Sequence, residues 1–207
     1  FPNAKISDRT TETAMIAVQG PLSISKLQKL IPLGLSSMPL FSVQRVDSQK
    51  HPALVARTGY TGEDGAEVIV EAAVANSLWE QLLNSNVMPC GLVARDSLRL
   101  EAGLRLWGND INLTVNPLEA GLGRFVNFSK REFTGKQALL KIKEEGIQRR
   151  LIGFVMESRG IPRKGHPILC GGNSVGEVTS GGHSPTLRKG LGLGFIPKNL
   201  SAIGTSL

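Results

Sequence analysis

The chain has 207 residues, 41% hydrophobic and 5% aromatic, with a formal charge of +7, enough material to bury one large core or two small ones. Its Lys and Arg are scattered, the densest group being Gln148-Arg149-Arg150, and aromatic side chains are few; this pattern argues against a nucleic-acid surface, and no apolar stretch suits a membrane span. Cys90 and Cys170, with His51, His166 and His183, show no ligand spacing, so no metal is expected and the cysteines read as packing residues in a reducing compartment.

The chain opens FPNAKISDRT without a methionine and stops at AIGTSL after a turn, so a fragment of a longer protein is expected. TAMIAVQG, 13–20, reads as a strand, and PLSISKLQKLI, 21–31, as a helix with Pro at its start. In ARTGYTGEDGAEVIVE, 56–71, apolar runs flank a loop carrying Gly59, Gly62 and Gly65, the pattern of an antiparallel hairpin. On a period of two, Glu67, Ile69 and Glu71 share one face and Ala66, Val68 and Val70 the other. Glu67 therefore has two readings: a charge on a solvated face, or a carboxylate at a cleft suited to a ligand with paired N–H donors.

NSLWEQLLNS, 76–85, reads as a helix, and CGLVARDSLRLEAG, 90–103, as another with Gly103 at its carboxyl end. Arg95 and Arg99 lie one turn apart, and Asp96–Arg99 and Glu101–Arg105 are spaced for intrahelical pairs. Such pairs contribute about 0.2–0.5 kcal/mol each, too little to account for so much charge on a helix of Leu, Val and Ala. Arg95 is either a salt-bridge partner or a cation that anchors a substrate. FTGKQALL, 133–140, lacks the flanking residues of a phosphate loop and reads as a plain helix start. GLGLG, 190–194, has no dinucleotide context, and its glycines suit close strand packing. HSPTL, 183–187, reads as a turn rather than a nucleophile with its base.

Beyond Gly146 the texture changes: 12 of the 24 glycines fall in 151–207, where LIGFVM, SVGEVTSG and LGLGFIP alternate with turns, as in a barrel or sandwich. Residue patterns alone support an α+β protein with a β-rich tail and a polar cleft.

Taken in order, AVQGP, ARTGYTGEDGAEV, CGLVARDSLRLEAGLRLWGNDI, NPLEAGLGRFV, FTGKQALL and GEVTSGGHSPTL resemble the aminomethyltransferase (T protein) of the glycine cleavage system over nearly the whole chain. The resemblance implies a three-domain enzyme that binds tetrahydrofolate as co-substrate. Such an enzyme takes an aminomethyl group from the lipoyl arm of a carrier protein, releases ammonia and yields 5,10-methylenetetrahydrofolate. It implies that Glu67 and Arg95 belong to the folate site, with Tyr60 and Trp107 as aromatic walls or core residues.

The implied fold is a ferredoxin-like α/β sandwich portion followed by a β-barrel-like carboxyl-terminal domain. Residues 1–10 would end a mostly absent domain, 11–147 would form the folate-binding portion with its linking helices, and 148–207 an incomplete barrel. The family's catalytic aspartate lies in an amino-terminal portion with no counterpart here, so no catalytic residue and no turnover by this chain alone are expected; Asp64 and Asp96 are not substitutes. A folate-dependent demethylase, or the folate domain of a dimethylglycine or sarcosine oxidoreductase, is the alternative. A non-catalytic iron–sulfur assembly factor is a weaker one, since REFTGKQ contains no cysteine. The compartment would be bacterial cytoplasm or mitochondrial matrix.

Overall fold

The computed structural model describes residues 3–46 and 52–207; His51 and the first two residues of FPNAKISDRT lie outside them. The chain divides into two compact units, Phe1–Arg95 and Asp96–Leu207.

In the first unit β1 (Thr13–Gln19), β2 (Val43–Val46), β3 (Ala53–Ala56) and β4 (Gly65–Glu71) form an antiparallel sheet in the order β1-β4-β3-β2. Helices α1 (Ser23–Leu27) and α2 (Ala72–Asn84) pack against β1 and β4. Alternation decides which face they cover. Ala66, Val68 and Val70 are buried against Leu27, Leu35, Leu78 and Leu82, while Glu67 and Ile69 on the opposite face are only half-buried. Each buried Val or Leu contributes about 1.5–3 kcal/mol.

The TAMIAVQG strand and the hairpin of 56–71 form as expected, whereas the helix expected over 21–31 closes after five residues. Beyond it Leu30 and Ile31 donate to the same Leu27 carbonyl. Pro32 then brings no N–H to continue the ladder and disfavours helical geometry at Ile31, so no further turn is added.

Helix α3 spans Leu92–Glu101 and ends as expected at Gly103, with φ +66° and an N–H donated to the Leu100 carbonyl. Within the second unit α4 (Lys136–Glu145) precedes β5 (Arg149–Val155), β6 (Pro167–Cys170), β7 (Asn173–Ser184) and β8 (Lys189–Pro197). These strands make an antiparallel sheet ordered β5-β8-β7-β6, with bulges near Ile168 and Val178.

The GLGLG glycines serve close packing. A Cβ on Gly190 would lie 2.2 Å from the Gly160 carbonyl oxygen, and one on Gly194 2.7 Å from that of Glu177. HSPTL closes the β7–β8 turn. Cys170 is half-buried, but Cys90 is exposed in the extended segment before α3, not packed as expected. The chain is α+β throughout, with two antiparallel sheets, and no helix among the described residues is long and apolar enough to cross a membrane.

Candidate functional site

Glu67 sits mid-strand on β4, paired across the sheet with Ala17 of β1 on one side and Ala56 of β3 on the other. Both neighbours on its face are therefore methyl-sized, which leaves the carboxylate standing in a shallow gap instead of under larger side chains. Thr58, just beyond β3, donates its hydroxyl to Glu67 Oε2 at 2.5 Å, and no Lys, Arg or His forms an ion pair with Glu67 among the described residues. Glu67 lies on the sheet face opposite the buried Ala66, Val68 and Val70, and a carboxylate keeps acceptor capacity beyond one hydroxyl partner.

The loop that carries Thr58 is braced from two directions. Gln19, at the end of β1, donates its amide Nε2 to the carbonyls of Thr58 at 3.1 Å and Ala66 at 3.3 Å. A Cβ on Gly59 would lie 1.9 Å from Gln19 Oε1, so a larger residue there would displace the Gln19 amide. On the far side Arg57 forks onto Asp64 at 3.1 and 2.8 Å, and its other nitrogen donates to the Leu35, Ser36 and Met38 carbonyls. The Asp64 carbonyl in turn accepts from the Gly20 N–H and the Ser23 hydroxyl. The Arg57 hydrogen bond holds the Asp64 carboxyl below its ordinary value.

Arg95, exposed on α3, places its guanidinium over the Tyr60 ring at 5.1 Å from the centroid. Glu67, Tyr60 and Arg95 thus belong to one unit; Trp107 belongs to the other and is 64% exposed. Asp64 and Asp96, set aside as catalytic acids, are engaged with Arg57 and Arg99 respectively.

Intrahelical pairs were too weak to account for the charge on this helix, and Asp96–Arg99 shows why. The spacing holds at 2.7 Å, but Arg99 is 2% exposed. Its Nη1 donates to Asp110 at 2.9 Å and to the Leu104 carbonyl, and its Nη2 to Ser180 at 3.0 Å. Asp110, wholly buried, also accepts from Ser180, Thr179 and the Leu106 N–H. Glu101 accepts from the Ser184 and Thr186 hydroxyls and the Thr186 N–H, which keeps its carboxyl below the ordinary value, while Arg105 donates to the Ala120 and Gly103 carbonyls. Thr58 and Asp110 were missed because Thr58 meets Glu67 across a loop and Asp110 draws Thr179 and Ser180 from 69 and 70 residues on; period-based reading sees neither.

A two-layer α/β unit with a half-buried carboxylate on its sheet, joined in one chain to an antiparallel glycine-rich sheet, defines a two-unit α+β protein. The family model described as GCVT N-terminal domain matches residues 1–130, and the one described as glycine cleavage T-protein C-terminal barrel domain matches 149–207. The chain belongs to the glycine cleavage T-protein family.

The chain is 44% identical to the aminomethyltransferase of Synechococcus elongatus over 207 residues, covering 100% of this chain and 56% of that protein. With that of Rippkaea orientalis the identity is 47% over 201 residues, covering 97% and 54%. It is also similar to the crystal structure of glycine cleavage system aminomethyltransferase T from Bartonella henselae. There the TM-score is 0.86 at 35% identity, over 93% of this chain and 54% of that one. The chain thus spans about half the length of the relatives it matches.

Proposed function

We propose that this chain carries the pterin-recognising part of an aminomethyltransferase of the glycine cleavage system, with Glu67 as the carboxylate that grips tetrahydrofolate. The observation that carries the reading is the setting of Glu67: half-buried, flanked by Ala17 and Ala56, and braced by Thr58 with no competing cation among the described residues. A pterin ring offers a 2-amino group beside a ring N–H, two donors in a row, and one ionised carboxylate accepts both in a fork. A flat ring fits above two alanines where larger side chains would stand in its way.

In the reaction so proposed, the lipoyl arm of a carrier protein presents carbon as S–CH2–NH3+. Departure of ammonia leaves a cationic, electrophilic S+=CH2 carbon, which bonds to folate N5 and then N10; the two nitrogens each lose a proton, one taken by the departing sulfur to give the thiol and one released. The role of this chain's residues is positioning. Glu67 fixes the ring plane, and Arg95 over Tyr60 offers a cation and an aromatic surface in the same unit. The net charge of +7 favours an anionic folate tail and an acidic carrier. The work would take place in bacterial cytoplasm, or in the mitochondrial matrix of a eukaryote.

The test is an isothermal titration of 5-formyltetrahydrofolate into the chain and into its Glu67→Gln variant at identical salt. Saturable binding that the substitution weakens more than about a hundredfold is expected, as for the loss of a bidentate charged pair. Equal binding by the variant would remove Glu67 from the site.

A further inference from the structure

We propose that Thr58 is a positioning residue for the folate carboxylate, setting the rotamer of Glu67 before the ligand arrives, with Gln19 holding Thr58 in place; this rests on the folate reading above. A glutamate on a strand has three rotatable bonds, and between two alanines little packing restrains it. The Thr58 hydroxyl supplies that restraint with its hydrogen bond to Oε2 at 2.5 Å. A hydroxyl carries only one proton, so this bond occupies one lone pair of one oxygen and leaves the acceptors that two adjacent N–H donors need.

Thr58 suits the task because its β-branch stiffens χ1, and because its own backbone is not free. Its carbonyl accepts from Gln19 Nε2, which also bridges to the Ala66 carbonyl next to Glu67, so one amide ties together the residues that precede the loop and follow it. The absence of a Cβ at Gly59 is what lets the amide approach. Three segments distant in sequence, the ends of β1 and β3 and the start of β4, thereby converge on one carboxylate orientation. The expected consequence is a pre-organised acceptor, with less ordering required on binding.

Thr58→Val keeps the shape and removes the donor, and Thr58→Ser restores it. Each variant is titrated with 5-formyltetrahydrofolate and with an analogue carrying a 2-methyl in place of the 2-amino group, after Trp79 fluorescence has shown the same urea midpoint as the parent. Thr58→Val should weaken 5-formyltetrahydrofolate about ten- to a hundredfold, the usual effect of losing a hydrogen bond to a charged group. Thr58→Ser should stay within about threefold, and the methyl analogue, which forms no fork, should lose less than about threefold on Thr58→Val.

Parental binding by Thr58→Val, with Glu67→Gln impaired, overturns the positioning role and leaves the folate reading standing. Equal losses for both ligands, or a collapsed urea midpoint in both Thr58 variants, assign Thr58 to holding the loop only. Absence of binding by the parent chain, or full binding by Glu67→Gln, removes the folate reading and the positioning role with it.

Discussion

Replacing Asp110 by Ala takes from the buried Arg99 its buried counter-charge and leaves it the half-exposed Asp96. Arg99 is 2% exposed and Asp110 0%, so neither charge has recourse to water. The substitution removes the acceptor for Arg99 Nη1, the Leu106 N–H, Thr179 and Ser180, and leaves Arg99 with Asp96, the Leu104 carbonyl and Ser180. Breaking a buried pair from one side costs about 3–5 kcal/mol, a large share of the roughly 5–15 kcal/mol that holds a domain together.

With a denaturant slope of about 2 kcal/mol per molar urea, the midpoint of the second unit should fall by about 1.5–2.5 M. The chain has two tryptophans, Trp79 in the first unit and Trp107 in the second, so a Trp79→Phe background makes Trp107 fluorescence report on the second unit. Arg99→Met combined with Asp110→Ala should cost at least about 1 kcal/mol less than the sum of the single changes, because the buried guanidinium is gone. A midpoint shift below about 0.5 M for Asp110→Ala, or strict additivity in the pair, would refute the reasoning.

The first unit offers a steric and an electrostatic test. A Cβ on Gly65 would lie 2.5 Å from the Val18 carbonyl oxygen, backbone that cannot swing aside; Gly65→Ala should lower stability by about 1–3 kcal/mol, whereas Gly91→Ala, with open space around it, should stay within about 0.5 kcal/mol of the parent. Trp79 fluorescence in a Trp107→Phe background measures both, and equal midpoints would contradict the packing argument. Asp64 has its carboxyl held below the ordinary 3.8, chiefly by Arg57. A depressed folded value means that the stabilisation is present above about pH 4 and is lost as pH falls through the folded value. Arg57→Gln should therefore flatten the dependence of the thermal midpoint on pH below about 4; an unchanged slope would dissociate Asp64 from acid stability.

Legibility from sequence followed the range of each interaction. The 56–71 hairpin, the Gly103 cap and the GLGLG strand were readable because alternation and glycine chemistry act within a few residues. The face of Glu67 was readable for the same reason, although nothing in β4 alone shows that Ala17 and Ala56 flank it, since that depends on register with two other strands. Helix 21–31 was overextended because its apolar spacing continues through Ile31 while Pro32 stops the backbone. Local i,i+3 and i,i+4 spacing offered Arg99 and Glu101 only intrahelical partners, too weak to account for their charge; Ser180 and Ser184, which they meet in the fold, come from a strand some eighty residues on.

The strand order of the second sheet also bears on how it comes into being. Of these four strands β5 is made first, yet its pairing runs from Arg149 with Pro197 to Val155 with Leu191, on β8, the latest of the four. During vectorial synthesis the β6–β7 pair can zip as a hairpin while β5 has no native edge to join. Closure of so long a loop raises contact order and slows assembly. Until β8 arrives with its bare glycine backbone between β5 and β7, an early strand ending in Phe154 and Val155 waits with its hydrogen-bonding groups open.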